Sequence, residues 1–329
     1  MKTVVILGGG SATFNLLKGL RQFPTNNIIV VSTADSGGST GVLRRDLGVM
    51  PWGDARQCLV GLSYTAPALC SLFSYRFDRG ALKGHSAGNI ILAALEKITG
   101  SSEGAIAEAA RLLNVRGEVL FASKRPTTLS ARLVDGTEII GEHEIDEPIT
   151  KKRSPIARLS LSAAEANPRV LDAIARADAI VLGPGDLYTS TLPNLLVPGI
   201  APAIKKARAK KILITNLMTK FGQTDHFSAS NFLRIVNEYL GARAGETAID
   251  LAIVNTKRPS PAQIGSYGKE KAQFVPPDTK QIEATGTKVV IGNFIANGVF
   301  KKAKGDALAR SSVRHNADKT AERIWENIQ

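Results

Sequence analysis

Short apolar runs alternate with amphipathic helical patterns along most of the chain. Residues 3–7 form a run rich in β-branched side chains, and residues 15–20 place three leucines on one helical face. Further apolar runs lie at residues 27–34, 156–161, 179–182, 211–215 and 251–255. Because strands that alternate with helices are typical of βαβ units, we expect an α/β, Rossmann-like fold with a doubly wound, mainly parallel sheet.

One segment has the pattern of an antiparallel excursion. Residues 129–145 alternate around the Asp135–Gly136 pair, which predicts a small β-hairpin. Residues 35–53 have the pattern of a long polar loop, residues 54–115 are rich in helical patterns, and residues 276–288 suggest a loose surface excursion. Since no repeat or linker divides the chain, we expect residues 1–329 to form a single domain.

Composition and apolar patterning limit the class of protein to which this chain can belong. A chain of 329 residues with 43% hydrophobic residues can bury a large core. Cys58 and Cys70 lie in apolar helical patterns without the spacing of a metal or redox site, so we interpret them as reduced core residues. The chain shows neither a leader pattern nor an apolar run of membrane length, which predicts a cytoplasmic protein without membrane insertion.

The net charge of +13 favours anionic ligands. The densest basic runs, at residues 151–153, 205–211 and 301–304, are scattered along the chain and have no aromatic residues among them. Because single-stranded nucleic acids bind basic grooves that also carry aromatic stacking platforms, this pattern argues against nucleic-acid binding.

A glycine-rich turn, Gly8, Gly9 and Gly10, joins the first predicted strand to the first predicted helix. Free N–H groups and the positive end of the helix dipole suit a phosphate or a carboxylate there. Thr13 stands where a dinucleotide fingerprint has its third glycine, and no P-loop lysine follows. The turn therefore predicts anion binding without specifying a nicotinamide cofactor.

Two further loops of small and hydroxyl residues follow later strands, with the sequences ADSGGSTGVLRRD and GPGDLYTST. In a doubly wound sheet, ligands bind outside the carboxyl ends of the strands, so three such loops predict a ligand with more than one phosphate or a sugar phosphate. Arg44 could donate to this ligand or form a solvated pair with Arg45. The candidate binding residues of the two loops are Asp35, Gly37, Gly38, Ser39, Arg44, Gly183, Pro184, Gly185, Tyr188, Thr189 and Ser190.

Four polar residues are further candidates. Asp35 and Asp54 could hold Mg²⁺ together with ligand phosphates, whereas Asp54 could also simply cap a helix. His85 and Asn89 lie one helical turn apart between glycines, which fits a ligand contact or a structural role. The sequence contains no nucleophile elbow and no His or Cys metal motif, so covalent catalysis and zinc chemistry are not expected.

Seven motifs in order carry a family resemblance. They are GGG (8–10), ADSGGSTGVLR (34–44), PWGDARQCLVGL (51–62), LFSYRF (72–77), GHSAGN (84–89), LGPGDLYTSTLPNLLV (182–197) and NLMT (216–219). With these motifs, the sequence resembles the YvcK-type gluconeogenesis factors, which share the CofD-like superfamily with the 2-phospho-L-lactate transferases. The resemblance covers almost the whole chain.

The resemblance implies a Rossmann-like sheet that binds a nucleotide diphosphate or a nucleotide sugar. In the YvcK-type branch the implied ligand is a UDP-sugar such as UDP-N-acetylglucosamine. The implied role there is regulation of cell-wall precursor supply, cell shape and gluconeogenic growth. The transferase branch instead moves a phospholactyl group from a guanylated carrier with Mg²⁺. By the same resemblance, Asp35 and Asp54 match metal-associated positions, and Asn216 of the NLMT motif matches a ligand-binding one.

The chain departs from the family pattern at two places. Ser36 replaces the second aspartate of the usual Asp-Asp-Gly-Gly motif, so one carboxylate is missing. After NLMT, Lys220, Phe221 and Gln223 replace the Gln, Pro and Glu of the pattern.

These residues favour a sensor over an enzyme, because no carboxylate pair is evident near the LYTST segment and no aromatic slot for a deazaflavin is evident. A phospholactate-type transferase remains the alternative. We expect no required cofactor, with Mg²⁺ left open, and the sequence also leaves a homodimer open.

Overall fold

The computed structural model describes residues 1–148, 153–243, 245–265, 271–298 and 313–329. Within these residues the strands are β1 Lys2–Leu7, β2 Thr25–Val31, β3 Glu118–Phe121, β4 Thr128–Leu133, β5 Glu138–Ile140, β6 Ile156–Ser162, β7 Ala179–Leu182, β8 Lys210–Ile214, β9 Leu251–Asn255 and β10 Lys288–Gly292.

The helices of the same residues fall between these strands. They are α1 Gly10–Leu20, α2 Gly38–Leu47, α3 Trp52–Gly61, α4 Pro67–Ser74, α5 Ala87–Thr99, α6 Ser102–Leu112, α7 Glu142–Asp146, α8 Pro168–Ala175, α9 Leu192–Leu195, α10 Ile200–Lys206, α11 Ala229–Tyr239, α12 Pro261–Gly265, α13 Thr279–Glu283 and α14 Ala317–Glu326. A π-helical turn, Leu187–Thr191, precedes α9.

The main sheet has seven strands in the order β10-β9-β8-β7-β1-β2-β3, and its neighbouring strands pair in parallel. The strand order reverses between β1 and β7, where Leu7 lies opposite Leu182. In a doubly wound sheet this switch point opens a crevice at the carboxyl ends of the strands. The predicted Rossmann-like fold is confirmed, and the glycine loops after β1 and β7 start side by side.

Both faces of the main sheet are covered. Val4 and Ile6 belong to one core cluster and Val5 and Leu7 to the other, and all four are 0% exposed. Because alternate residues of a strand point to opposite faces, a strand buried on both faces needs a continuous apolar run. This requirement explains why β1 could be recognised from the sequence.

The expectation for residues 156–161 was wrong in one respect. They form β6, but β6 pairs antiparallel with β4 in a separate three-stranded sheet of order β5-β4-β6. Most of β6 is exposed or partly exposed, as expected for a strand with one buried face. The apolar pattern could not distinguish this pairing from a parallel one.

The predicted hairpin is present but shorter than expected. β4 and β5 pair antiparallel around the Asp135–Gly136 turn, where the Thr137 N–H donates to Asp135 Oδ1 at 3.0 Å. The chain then forms α7, which begins within the range assigned to the hairpin and ends one residue after it. This short helix matters below because it carries two acidic side chains.

Two segments expected to be irregular contain regular structure. The predicted loop at residues 35–53 contains α2, and residues 276–288 contain α13 and the first residue of β10. Strands β3 and β10 were not predicted. Cys58 is buried and Cys70 partly buried, and both are free thiols, as expected.

Residues 151–152 and 301–304 of the basic runs lie outside the described residues. Among the helices that the structure describes, none has the length and apolar character needed to cross a bilayer.

Candidate functional site

A cavity of about 530 Å³ opens at the carboxyl ends of β1, β7 and β8. It brings together twelve predicted site residues from distant parts of the chain. These are Gly9, Gly10, Asp35, Gly37, Ser39, Asp54, Asn89, Pro184, Gly185, Thr189, Ser190 and Asn216. The remaining seven predicted residues do not line it: Gly8, Thr13, Gly38, Arg44, His85, Gly183 and Tyr188.

The turn before α1 is shaped by close approach of a carboxylate. A Cβ at Gly9 would stand 1.9 Å from Asp54 Oδ2, so only glycine leaves room for the aspartate against the backbone. Gly10 has φ +67°, a left-handed conformation that glycine adopts without strain. No side chain caps the start of α1 at Gly9. The first turn of this helix can therefore offer backbone N–H groups and a positive dipole to an anion.

Asp54 lies in the first turn of α3, whose capping position is occupied by Pro51. The interpretation of Asp54 as a helix cap was therefore wrong. Its carboxylate instead faces the cavity beside Gly9.

The loop after β7 forms the adjoining wall of the cavity. Asn216 Nδ2 donates to the carbonyl oxygen of Gly185 at 3.1 Å, and Thr13 Oγ1 donates to that of Pro184 at 3.3 Å. Thr13 is 0% exposed, so it ties α1 to this loop from within. The π-helical turn places Thr189 and Ser190 on the cavity, whereas Tyr188 packs in the core and burial raises its pKa.

Arg44 has a structural role and does not form a solvated pair. Its guanidinium donates to the carbonyl oxygens of Thr127 at 2.6 Å and of Thr33 and Asp35 at 3.4 Å. These bonds hold the loop after β2 in place. Its neighbour Arg45 does extend into solvent, beside Asp46.

Ser39 joins His85 and Asn89 in one polar network. Ser39 Oγ lies 3.3 Å from His85 Nδ1 and accepts from Asn89 Nδ2 at 3.3 Å. Asn89 Oδ1 accepts from Arg56 Nε at 2.8 Å, and Arg56 also lines the cavity. Asn89 therefore faces the cavity directly, whereas His85 reaches it through Ser39.

Carboxylates crowd one side of the cavity. Asp35 Oδ1 accepts from the Gly37 N–H at 3.0 Å, which fixes the start of α2. Glu142, which sequence reasoning missed, faces the same space from α7. Burial raises its pKa well above the ordinary value, and the charges of Asp35, Asp146 and Asp54 raise it further.

Lys220, Asp146 and Asp186 form an ion cluster that we name the Lys220 cluster. Lys220 Nζ lies 2.6 Å from Asp146 Oδ1 and 2.8 Å from Asp186 Oδ2. Burial opposes the charge of Lys220, but the carboxylates of Asp186 and Asp146 outweigh it and raise the lysine pKa. Burial also opposes ionisation of Asp146, yet Lys220 keeps the pKa of Asp146 below its ordinary value.

This cluster corrects the expectation that no carboxylate pair lies near the LYTST segment. Asp146 Oδ1 also accepts from Thr189 Oγ1 at 2.9 Å, and Asp186 lies one residue before the LYTST segment. A carboxylate pair therefore does lie beside that segment. It was missed because Asp146, which directly follows the predicted hairpin, was assigned no role, whereas Asp186 was visible inside the GPGDLYTST motif.

Part of the cavity lining is apolar. Leu217, Met218 and Val313 line it and belong to a small apolar cluster. His315 lies beside them, and its Nε2 is 3.1 Å from the carbonyl oxygen of Thr215. Burial lowers the pKa of His315 to about 4, so the ring is neutral near pH 7 and Nε2 carries the proton donated to this carbonyl.

The cavity offers Mg²⁺ only part of a coordination shell. In the described ranges, no three His, Cys, Asp or Glu side chains converge closely enough to hold a metal ion. However, Mg²⁺ is usually bound by one or two carboxylates and completes its shell with waters and substrate phosphates. Asp35 and Asp54 both face the cavity, so they fit an ion that a ligand's phosphates would share.

Comparisons with known proteins agree with this architecture. Residues 4–295 match the sequence model of the family described as 2-phospho-L-lactate transferase CofD. A gluconeogenesis factor from Halalkalibacterium halodurans is 41% identical and covers 99% of this chain and 96% of its own length. A gluconeogenesis factor from Bacillus subtilis is 39% identical, and the match covers 87% of this chain and 89% of the relative's length.

A crystal structure of a Bacillus halodurans protein superposes with a TM-score of 0.89 at 40% identity, and covers 98% of this chain and 99% of its own. The family match and these full-length relatives lead to one assignment. The chain belongs to the CofD-like family, among its YvcK-type gluconeogenesis factors.

Proposed function

We propose that this protein binds a nucleotide diphosphate sugar, such as UDP-N-acetylglucosamine, in the strand-end cavity. Through this binding it acts as a regulator of cell-wall precursor supply, cell shape and gluconeogenic growth. The names of the curated relatives, gluconeogenesis factors, support the last of these roles.

The observation that carries the proposal is the convergence of two glycine loops on one cavity. Gly9 and Gly10 at the start of α1 and Gly185 after β7 line the same space at the switch point of the sheet. A helix N-terminus and a loop of small residues allow phosphates to approach backbone N–H groups closely. Two adjacent anion cradles suit a diphosphate better than a single phosphate.

Two kinds of cavity lining suit the two other parts of such a ligand. Leu217, Met218 and Val313 offer an apolar surface for a base, and the Lys220 cluster offers charged and polar groups for a sugar. This mixed lining matches a molecule that carries both a base and hydroxyl groups.

A transferase of the phospholactyl type is the second candidate, favoured by Glu142. A glutamate that lines a cavity and has a pKa raised by burial and neighbouring carboxylates is suited to proton transfer. Asp35 and Asp54 would hold Mg²⁺, which would neutralise charge on the transferred phosphate. The family description supports this candidate, whereas Ser36 in place of a second aspartate disfavours it.

Thermal unfolding with candidate ligands tests the binding proposal. UDP-N-acetylglucosamine at about 100 times its dissociation constant adds about 2.7 kcal/mol to the free energy of unfolding, which raises the melting temperature by a few degrees. UMP, which lacks the second phosphate, should give a much smaller shift at equal concentration. Equal shifts with UMP and the UDP-sugar would contradict the two-cradle proposal.

Mass spectrometry after long incubation separates the two candidates. A regulator leaves the UDP-sugar unchanged with and without Mg²⁺. Release of UDP from the sugar, or of GMP from a guanylated phospholactate with a deazaflavin alcohol as acceptor, would identify an enzyme. The homodimer stays a prediction, which light scattering on the eluting protein would check.

A further inference from the structure

The Lys220 cluster has an unusual balance of charge for a cavity that receives an anionic ligand. One ammonium lies between two carboxylates, at 2.6 Å and 2.8 Å, so the cluster carries a net negative charge. The side chains of Lys220, Asp146 and Asp186 are 25%, 20% and 35% exposed, and all three residues line the cavity. A ligand that fills the cavity therefore meets them directly.

The hydrogen bonds of the cluster leave one donor and two acceptors. An ammonium has three N–H donors, of which Lys220 gives one to Asp146 and one to Asp186. Asp146 Oδ1 accepts from Lys220, Thr189 and Gln223. Among the described residues, Asp146 Oδ2 and Asp186 Oδ1 accept no hydrogen bond. A sugar hydroxyl, which donates and accepts at once, complements this arrangement.

Gln223 supports Asp146 from behind the cavity wall. It is 4% exposed, and its Nε2 donates to Asp146 Oδ1 and to the carbonyl oxygen of Ile145, both at 3.3 Å. Its Oε1 is buried, and no donor within the described ranges reaches it. Arg153 Nη1 donates to the same carbonyl oxygen of Ile145 at 2.7 Å, so Gln223 and Arg153 together fix the end of α7 that carries Asp146.

Other acidic side chains line the same cavity: Asp35 and Asp54, and Glu142 of α7, whose raised pKa favours its neutral form. A ligand carboxylate placed against the Lys220 cluster would meet two carboxylates and one ammonium in a partly water-excluded space. It could not donate a hydrogen bond to Asp146 Oδ2 or Asp186 Oδ1. A neutral hydroxyl group meets neither obstacle.

We infer that the Lys220 cluster selects nucleotide sugars with a neutral, hydroxyl-rich hexose over those whose sugar carries a carboxylate, and that Asp186 determines this specificity. This inference rests on the proposed function, because it concerns the sugar-binding part of the same cavity. It also disfavours a phospholactyl donor, whose lactate bears a carboxylate.

The test compares two ligands that differ at one group. UDP-glucose and UDP-glucuronate differ only in the oxidation of the sugar's primary alcohol to a carboxylate. Isothermal titration of the full chain, without added divalent cations, should give at least tenfold weaker binding of UDP-glucuronate. In Asp186→Asn the ratio should fall to about threefold or less, whereas Asp46→Asn, at an exposed site, should keep the wild-type ratio.

Each outcome bears on one claim. Equal affinities of the wild type for the two ligands would overturn the selection while leaving nucleotide-sugar binding intact. An unchanged ratio in a folded Asp186→Asn variant would overturn the role of Asp186. Failure of UDP-glucose and UDP-N-acetylglucosamine alike to bind would overturn the proposed function, and this inference with it.

Discussion

Gly9 and Asp54 lie in direct contact although 45 residues separate them along the chain: a Cβ on Gly9 would stand 1.9 Å from the aspartate Oδ2 and 2.5 Å from its Cγ. Gly9 has φ −161°, an extended conformation open to any residue, so the constraint there is space alone. The backbone that begins α1 and the carboxylate from α3 thus form one surface of the cavity.

Gly9→Ala should therefore displace Asp54 and remove ligand binding. Overpacking a filled site costs about 1–3 kcal/mol of unfolding free energy, so the variant should still fold. Thermal unfolding with UDP-N-acetylglucosamine measures both effects. Gly265→Ala is a matched control, because a Cβ at Gly265 meets nothing within 4 Å and its φ is not in the left-handed region. A ligand shift that survives in Gly9→Ala would contradict the cradle.

Binding of the UDP-sugar should not require a metal ion. Since Ser36 stands in place of a second aspartate, we expect similar affinity in EDTA and in Mg²⁺, measured by isothermal titration. Asp35→Asn and Asp54→Asn should each lose less than tenfold, about 1.4 kcal/mol. Collapse of the affinity in EDTA, together with a tenfold loss in both variants, would instead indicate a metal bridge to the phosphates and favour the transferase.

The pKa of Glu142 predicts how stability depends on pH. Because its pKa in the folded protein lies well above the ordinary 4.5, the folded state binds more protons than the unfolded state between the two values. The contribution of Glu142 to stability is therefore present at low pH and is lost as pH rises from about 4.5 through the raised pKa. Glu142→Gln should remove this loss.

Urea unfolding at about pH 5 and about pH 8 measures the effect. Between the lower and the higher pH, the wild type should lose the stability contributed by Glu142, whereas Glu142→Gln should not. The unfolding free energy of the variant relative to that of the wild type should therefore rise at the higher pH. Glu144→Gln, on the exposed side of α7, is the control and should show no such trend. Identical pH profiles for wild type and Glu142→Gln would show that the glutamate ionises normally.

Lys220→Met should destabilise the fold by about 2 kcal/mol, because it removes the ammonium that lies between the carboxylates of Asp146 and Asp186. The matched control is Arg45→Met, which breaks a pair with side chains 73% and 56% exposed and should cost less than about 0.5 kcal/mol. Urea unfolding gives both values. Adding Asp146→Asn to Lys220→Met should recover part of the lost unfolding free energy, because it removes one of the two unbalanced charges. If the double variant instead loses as much unfolding free energy as the two single variants combined, the result would argue against the ion cluster.

The sequence by itself determined the layers of the fold and the loops that reach the cavity. Strands such as β1 and β9 are buried on both faces, so their continuous apolar runs are visible without any partner. The glycine turn before α1 and the GPGD loop are likewise local features. The parallel sheet then brings their ends to one edge, which is why Gly9, Gly10 and Gly185 could be assigned to one site.

Only the tertiary structure decided the pairing of β6, the place of Glu142 and the Lys220 cluster. An apolar run does not state which strand it will pair with, so β6 was assigned to the wrong sheet. Lys220 meets Asp146 and Asp186 across 74 and 34 residues of chain. Ion pairs between such distant segments depend on how loops close over the sheet, and no local pattern encodes that geometry.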